Sequence, residues 1–172
     1  MRNNQVCVCC VNDKTVKHIT FDTEGVCNYC RTYQKYESLL HNYSYLEELF
    51  LKKIKSTEPH AYDVAVGISG GKDSTFVLYE LIHKYKLKVC TYTLDNGFLS
   101  DEAKGKINQI VQEFQVPHEY VSCDQEILKR MYHYIVKKYL SPCIACSFLG
   151  YAAMINYASR VDAAVGIHGR SI

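Results

Sequence analysis

The chain has 172 residues, a formal net charge of +2 and 48% hydrophobic against 22% charged residues, which leaves room for one cored domain and a small attached module but not for two full domains. That composition excludes a chain disordered throughout, and no run approaches the roughly 18 consecutive apolar residues of a membrane span. The start, Met1-Arg-Asn-Asn-Gln-Val6, lacks the apolar stretch of a signal peptide, so the expected address is cytoplasmic and no membrane partner is expected. Lys and Arg exceed Asp and Glu by one in residues 1–60 and by one in the remainder. Such an even balance shows no concentrated basic block and gives only weak support for a dedicated nucleic-acid binder.

Cysteine departs from this ordinary picture. Nine occur, at 7, 9, 10, 27, 30, 90, 123, 143 and 146, and six of them form three C-x-x-C pairs. Without a secretory signal, such pairs read as metal or sulfur chemistry rather than disulfides.

In chain order, residues 1–31 come first, with Cys7-x2-Cys10 and Cys27-x2-Cys30 sixteen residues apart. This is the spacing of a zinc ribbon: two knuckles bring four thiolates to about 2.3 Å from one Zn²⁺, and the metal replaces a core that thirty residues cannot build. Cys9 competes with Cys7 for the first knuckle, and the matching two-residue gap favours Cys7 with Cys10. Val16, His18-Ile19 and Phe21 suit a short strand between the knuckles, with Asp22-Thr-Glu-Gly25 as its turn. Residues 33–56 repeat Tyr36, Leu39-Leu40, Tyr43, Leu46, Leu49-Phe50 and Ile54 at helical spacing, which predicts one helix or two short ones across a linker at 32–60.

From residue 62, strand and helix patterns alternate. Val64–Ile68, Lys88–Leu94, His118–Cys123 and Asp162–His168 read as strands; 73–85, Ser100–Phe114, Gln125–Tyr139 and Ser147–Ser159 read as helices. The expected fold is α/β, a doubly wound parallel sheet, whose ligands sit beyond the carboxyl ends of the strands. There the chain reads Val66-Gly-Ile-Ser-Gly-Gly-Lys-Asp-Ser74. Two glycines in the turn let backbone N–H groups converge on an anion, and the following helix adds its positive N-terminal end. The spacing is neither that of the Walker loop nor that of the dinucleotide fingerprint.

A strand, then Ser69-Gly-Gly-Lys-Asp-Ser74, then a helix resembles the PP-loop of the ATP pyrophosphatases, or adenine nucleotide alpha hydrolases. The resemblance implies a Rossmann-like PP-loop domain over 61–172 and an enzyme that cleaves ATP to AMP and pyrophosphate. AMP is transferred to an acceptor oxygen, and a sulfur or nitrogen nucleophile then displaces it. By the same resemblance Gly67, Ile68, Ser69, Gly70, Gly71, Lys72 and Ser74 hold ATP, Lys72 and Asp73 are catalytic, and Asp73 binds Mg²⁺. Leu94 and Asp95 fall where adenosine and ribose are met, with a turn cap as the other role of Asp95. Gly166 falls where the family keeps a glycine against the nucleotide, followed by His168 after an intervening Ile167.

The third pair, Pro142-Cys143-Ile-Ala-Cys146, resembles in layout the tRNA thiolation branch, where an N-terminal zinc module precedes the PP-loop and a Pro-Cys-x-x-Cys supplies two of three ligands to a [4Fe–4S] cluster. Three ligands leave one iron open for the transferred sulfur. Iron-free alternatives are a persulfide on one cysteine resolved by the other, a structural pair, or a second zinc half-site. Ile19-Thr-Phe-Asp-Thr-Glu-Gly-Val-Cys-Asn-Tyr-Cys30 is similar to the cysteine module of the N-acetyl sugar amidotransferases, which install nitrogen after the same adenylation. The resemblances therefore imply ATP, Mg²⁺ and Zn²⁺ as cofactors, with tRNA or a nucleotide sugar as acceptor and a protein donor of sulfur or ammonia. A homodimer is compatible with them. Sulfur transfer is the leading expectation, sugar amidotransfer the second, and a non-catalytic ATP-binding subunit the third. The chain stops four residues after the last expected strand, so the domain is expected to be C-terminally truncated.

Overall fold

The computed structural model describes residues 5–55 and 59–169; the ends of the expected segments at 1–4, 56–58 and 170–172 lie outside the described residues. The chain divides into two compact units, Met1–Lys53 and Ile54–Ile172.

The first unit holds the cysteine module with helix α1 (Asn28–Leu40) and most of α2 (Tyr43–Lys55). Cys27 opens α1 as its N-cap, its sulfur accepting the Cys30 N–H, so the second knuckle and the helix start are one turn. The helical expectation for this segment holds as two helices. The strand expected at 16–21 does not form. His18 adopts a left-handed φ of 61°, and turns close from Val16 N–H to Asp13 and from Ile19 N–H to Val16. What remains of sheet pairing is two isolated antiparallel bridges, Val6 with Asp13 and Phe21 with Cys27. The Asp22–Gly25 turn does form, with Gly25 at φ 79° and its N–H on Asp22 O at 3.1 Å.

The second unit carries a four-stranded parallel sheet in the order β3-β2-β1-β4, with β1 Tyr62–Gly67, β2 Val89–Asp95, β3 His118–Ser122 and β4 Ala163–His168. Helix α3 (Lys72–Tyr79) follows β1, α4 (Asp101–Phe114) follows β2, and α5 (Gln125–Tyr139) and α6 (Cys143–Arg160) both lie between β3 and β4 in the chain. Val64, Ala65 and Val66 are completely buried, as the unbroken apolar run of a central parallel strand requires. Pleating sends alternate residues to opposite faces. On one face Ala65, Cys90 and Tyr92 pack with Ala153, Tyr157 and Ala158 of α6. The chain reverses direction across the sheet between β1 and β4, and Gly67 pairs with His168 there, at the carboxyl edge.

Two helix boundaries differ from the sequence reading. The helix expected over 73–85 is α-helical only to Tyr79 and continues as a π-helical turn, Glu80–Lys84, closed by Tyr85 N–H on Glu80 O. Helix α6 starts at Cys143 rather than Ser147, so the third cysteine pair occupies a helical first turn instead of a preceding loop. Pro142 suits that start, because its missing N–H leaves no donor unpaired.

Candidate functional site

The four cysteines Cys7, Cys10, Cys27 and Cys30 bring their sulfurs within 4.8 Å of one another. Cys7 and Cys30 are 3.9 Å apart and Cys10 and Cys27 3.8 Å. A tetrahedron with Zn–S bonds of about 2.3 Å has edges of about 3.8 Å, so the spacing and the all-sulfur donor set fit zinc. Cys9 is exposed and contributes its N–H to the Cys7 sulfur instead of a fifth ligand. Burial works to raise the Cys7 thiol, but N–H groups of Cys27 and Cys9 point at its sulfur and bring it down to about 6. Cys30 is pushed up, first by its sulfur neighbour Cys10 and then by burial. Four such sulfurs cannot all ionise side by side without a cation, and a bound metal would supply the missing positive charge. Outside the sulfur cluster, Arg31 binds Asp22 and Glu24, tying α1 back to the turn.

In the second unit the loop between β1 and α3 lies at the carboxyl edge of the sheet. Gly70 adopts φ 76°, and a Cβ there would meet Ile107 at 3.2 Å, so both conformation and space call for glycine. Ser69 N–H and Oγ each lie 3.3 Å from Ser74 Oγ, which in turn donates to Gly71 O at 3.1 Å. The first intrahelical bond runs from Thr75 N–H to Gly71 O. The preceding N–H groups of the first turn are therefore left for an anion. Lys72 and Asp73 project into solvent, 94% and 72% exposed, paired at 3.3 Å.

A cavity of about 490 Å³ opens beside this loop, a size suited to a nucleotide. Of the nucleotide-binding residues expected from sequence, Gly67, Ile68, Ser69, Ser74 and Leu94 line it. Gly70, Gly71, Lys72 and Asp73 form the loop and first turn outside the lining. Asp95 is turned away: its carboxylate accepts the Gly97 N–H at 3.0 Å and pairs with Lys104 at 3.1 Å, which lower its pKa in that order. Gly166 does not reach the cavity, because a Cβ there would lie 2.6 Å from Met154 of α6. Instead His168 and Gly169 line it. Gly169 presses against the start of α3, where a Cβ would sit 3.1 Å from Ser74 N and from the Asp73 carbonyl carbon.

The two members of the third cysteine pair differ in their surroundings. Cys143 is exposed, whereas Cys146 lines the cavity, with Tyr132 Oη at 2.9 Å and Asn96 Nδ2 at 3.7 Å from its sulfur. Burial first, and then the bond to Cys146, pushes Tyr132 up to about 12, so its hydroxyl keeps its proton. Phe98, 73% exposed at the rim, stands edge-on to Tyr132 at 5.2 Å. Among the described residues no third Cys, His, Asp or Glu joins Cys143 and Cys146 at metal-site spacing. Cys90 is buried in β2 with its thiol on Val64 O, and Cys123 is exposed.

Sequence reasoning missed Asn96, Phe98, Tyr132 and Gly169. An apolar Phe98-Leu99 between the Asp95–Gly97 turn and the Ser100 N-cap was a usable signal, as was a glycine directly after His168. Tyr132 had none, since its i, i+4 neighbours Leu128 and Val136 make it look like packing.

No family model matches the chain. Over 146 residues it is 31% identical to an uncharacterized protein of Methanocaldococcus jannaschii, covering 83% of this chain and 50% of that protein. Cytoplasmic tRNA 2-thiolation protein 1 of Candida glabrata is 29% identical over 126 residues, 69% of this chain and 33% of that one. The chain thus spans half or less of the length of these curated relatives. Among solved structures, the NH3-dependent NAD synthetase of Campylobacter jejuni aligns with a TM-score of 0.51 at 12% identity, over 67% of this chain and 50% of that one. The U34-tRNA thiolase NcsA of Methanococcus maripaludis, solved with its [4Fe-4S] cluster, aligns at 0.50 and 19% identity, over 74% and 46%. These likenesses show a fold shared with the NAD synthetase and the U34-tRNA thiolase, and a sequence similar to that of the cytoplasmic tRNA 2-thiolation proteins.

Proposed function

We propose, with a PP-loop domain as the premise, that this chain is the adenylating part of an enzyme that replaces an acceptor oxygen by sulfur, with tRNA as the acceptor. One observation carries the reading: Ser69 and Ser74, at the two ends of the glycine-rich loop, line the same cavity as Cys146. In this reading ATP lies with its phosphates on the loop N–H groups, Lys72 swings from its solvent position onto the β and γ phosphates, and Asp73 holds Mg²⁺. Leu94 and Ile68 offer apolar surface to the adenosine.

The acceptor carbonyl oxygen attacks the α-phosphorus, and the bond to pyrophosphate breaks. Charge developing on the leaving pyrophosphate is met by the loop N–H groups and Lys72. A sulfur nucleophile brought by a donor protein then attacks the activated carbon, and AMP departs with the former acceptor oxygen. Cys146 is the residue at which that sulfur is presented, and Tyr132 and Asn96 aim it. A [4Fe–4S] cluster would need Cys143, Cys146 and a third ligand, which does not stand beside them among the described residues, and would supply an open iron in place of a carrier at Cys146. Zinc at Cys7, Cys10, Cys27 and Cys30 has a purely structural role. A cysteine in the nucleotide cavity favours sulfur over the nitrogen chemistry of a sugar amidotransferase.

The test is release of AMP and pyrophosphate from ATP with an unmodified tRNA transcript as acceptor. Lys72→Ala and Asp73→Ala are each expected to lower the rate about 10²- to 10³-fold. Their melting temperature should stay near that of the parent, because both side chains are exposed and pair with each other. Wild-type turnover in both variants would remove the PP-loop from the mechanism, and turnover with a nucleotide sugar but not tRNA would replace the acceptor.

A further inference from the structure

The even charge balance along the chain hides one uneven helix. Helix α5 holds Lys129, Arg130, Lys137 and Lys138, four of the chain's 20 Lys and Arg, and Glu126 alone of its 18 Asp and Glu, which leaves the rest of the chain at −1. Residues four apart on a helix share a face, so these side chains fall into two adjacent stripes, Lys129–His133–Lys137 and Arg130–Tyr134–Lys138. Each stripe runs about 12 Å at 1.5 Å per residue. All six residues are exposed, while the opposite face of the same helix buries Leu128 and Tyr132.

The outer face is organised rather than merely solvated. A shallow groove along it is lined by Ile127, Lys129, Arg130, Met131, His133 and Tyr134. Lys138 donates to Tyr134 Oη at 3.1 Å and lies over the rings of Tyr134 and Tyr139 at 5.4 and 5.3 Å. Tyr134 and Tyr139 are 57% and 50% exposed. Cations interleaved with accessible aromatic rings suit a chain of phosphates that carries stackable bases. A purely solvated helix face mixes both signs of charge, and this one is single-signed beyond the Glu126–Lys129 pair.

The helix is also tied to the nucleotide cavity. Tyr132, on its inner face, contacts the cavity sulfur of Cys146 and the rim residue Phe98. Through Tyr132, the helix that carries the basic outer face thus also touches residues that line the cavity.

We propose that the outer face of α5 is the docking surface for the RNA backbone of the acceptor, with Lys129, Arg130, Lys137 and Lys138 as its phosphate contacts. This rests on the reading of the chain as an RNA-modifying adenylating enzyme and assigns its acceptor contact to one helix.

The test uses the full chain and an unmodified tRNA transcript, with binding followed by fluorescence anisotropy from low to moderate salt. The variant replaces Lys129, Arg130, Lys137 and Lys138 together by Gln. Exposed Gln keeps helix propensity, and ATP binding measured on the same sample reports an intact PP-loop unit. Each lost phosphate contact removes about 0.7 to 0.9 from the slope of log affinity against log salt, so the slope should flatten by roughly three and the affinity should fall at least tenfold. A control replacing Lys14, Lys17, Lys86 and Lys106 should bind within about twofold of wild type if site-specific contacts, not net charge, decide.

Equal losses in variant and control would overturn the assignment, as would a variant that binds like wild type; either result leaves the thiolation reading standing. Absence of RNA binding by wild type, with pyrophosphate still released on a nucleotide sugar, would overturn the acceptor reading itself and the surface with it. Poly-glutamate bound more tightly than the transcript, and lost in the same variant, would make the face a dock for an acidic protein and overturn RNA docking.

Discussion

Three C-x-x-C pairs with the same internal spacing end in two different situations. In the first unit, Cys7–Cys10 and Cys27–Cys30 converge on one point, with sulfurs 3.8 and 3.9 Å apart across the pairs. In the second, Cys143 faces solvent and Cys146 faces the nucleotide cavity. The cause is what surrounds each pair. Around the first two there is little else to pack: Cys7, Val26 and Cys27 are the buried hydrophobics of that cluster, with Ile19 and Phe21 against it. The sulfur cluster, and a metal held by it, would supply the cohesion that a core of this size does not. The third pair begins an 18-residue helix already anchored by Ala153, Tyr157 and Ala158 on the sheet, so its two sulfurs inherit their directions from that packing. A cluster of four sulfurs organises one region, and a hydrophobic core organises the other.

The largest expected effect breaks the first half of this comparison. Cys27→Ser removes a buried ligand that is also the N-cap of α1. Metal measured by elemental analysis should fall from about one zinc per chain to near zero, in keeping with the roughly 10–16 kcal/mol that structural zinc supplies in small folds. Limited proteolysis should then cut within residues 1–53 while the second unit still binds ATP. Unchanged zinc content would dissolve the contrast between the two regions.

A middle effect tests how tightly the sheet edge clasps the anion loop. Gly169→Ala places a methyl group 3.1 Å from the backbone of Ser74, which cannot move without opening the first turn of α3. Overpacking of this kind costs about 1–3 kcal/mol, so ATP affinity by calorimetry should drop about tenfold. Affinity equal to wild type would show that the clasp is looser than the geometry states.

The smallest effect sharpens the asymmetry between Cys143 and Cys146. Tyr132→Phe deletes the hydroxyl 2.9 Å from the Cys146 sulfur, an interaction of about 0.5–1.5 kcal/mol. Labelling by a maleimide, resolved by peptide mass spectrometry, should speed up a few-fold at Cys146 and stay constant at Cys143. Equal change at both positions would mean that the helix start, and not Tyr132, holds the sulfur.

Much of this molecule was legible along the chain, for physical reasons that differ by element. Val64–Val66 announced a central strand because residues buried on both faces must be apolar without alternation. Ser100 marked a helix start because its side chain accepts a free N–H group of the first turn. The strand expected near Ile19 failed because apolar alternation says nothing about a partner. His18 turned left-handed where the knuckles required the chain to fold back. Of the two roles expected for Asp95, ribose contact and turn cap, the turn cap is the one seen: its carboxylate accepts the Gly97 N–H and pairs with Lys104.

What the sequence by itself determined is local chemistry: four cysteines at knuckle spacing, a glycine-rich anion loop between strand and helix, and the alternation that makes a parallel sheet. Those features depend on neighbours a few residues apart, and short-range geometry is written in the order of residues. Only the tertiary structure decided that Gly169 rather than Gly166 meets the loop, that Cys146 rather than Cys143 enters the cavity, and that Tyr132 holds its sulfur. Each of these is a contact between residues far apart in the chain or a choice between near-identical neighbours. Packing of helices on the sheet settles such choices, because an interior filled to crystal density admits few side-chain directions.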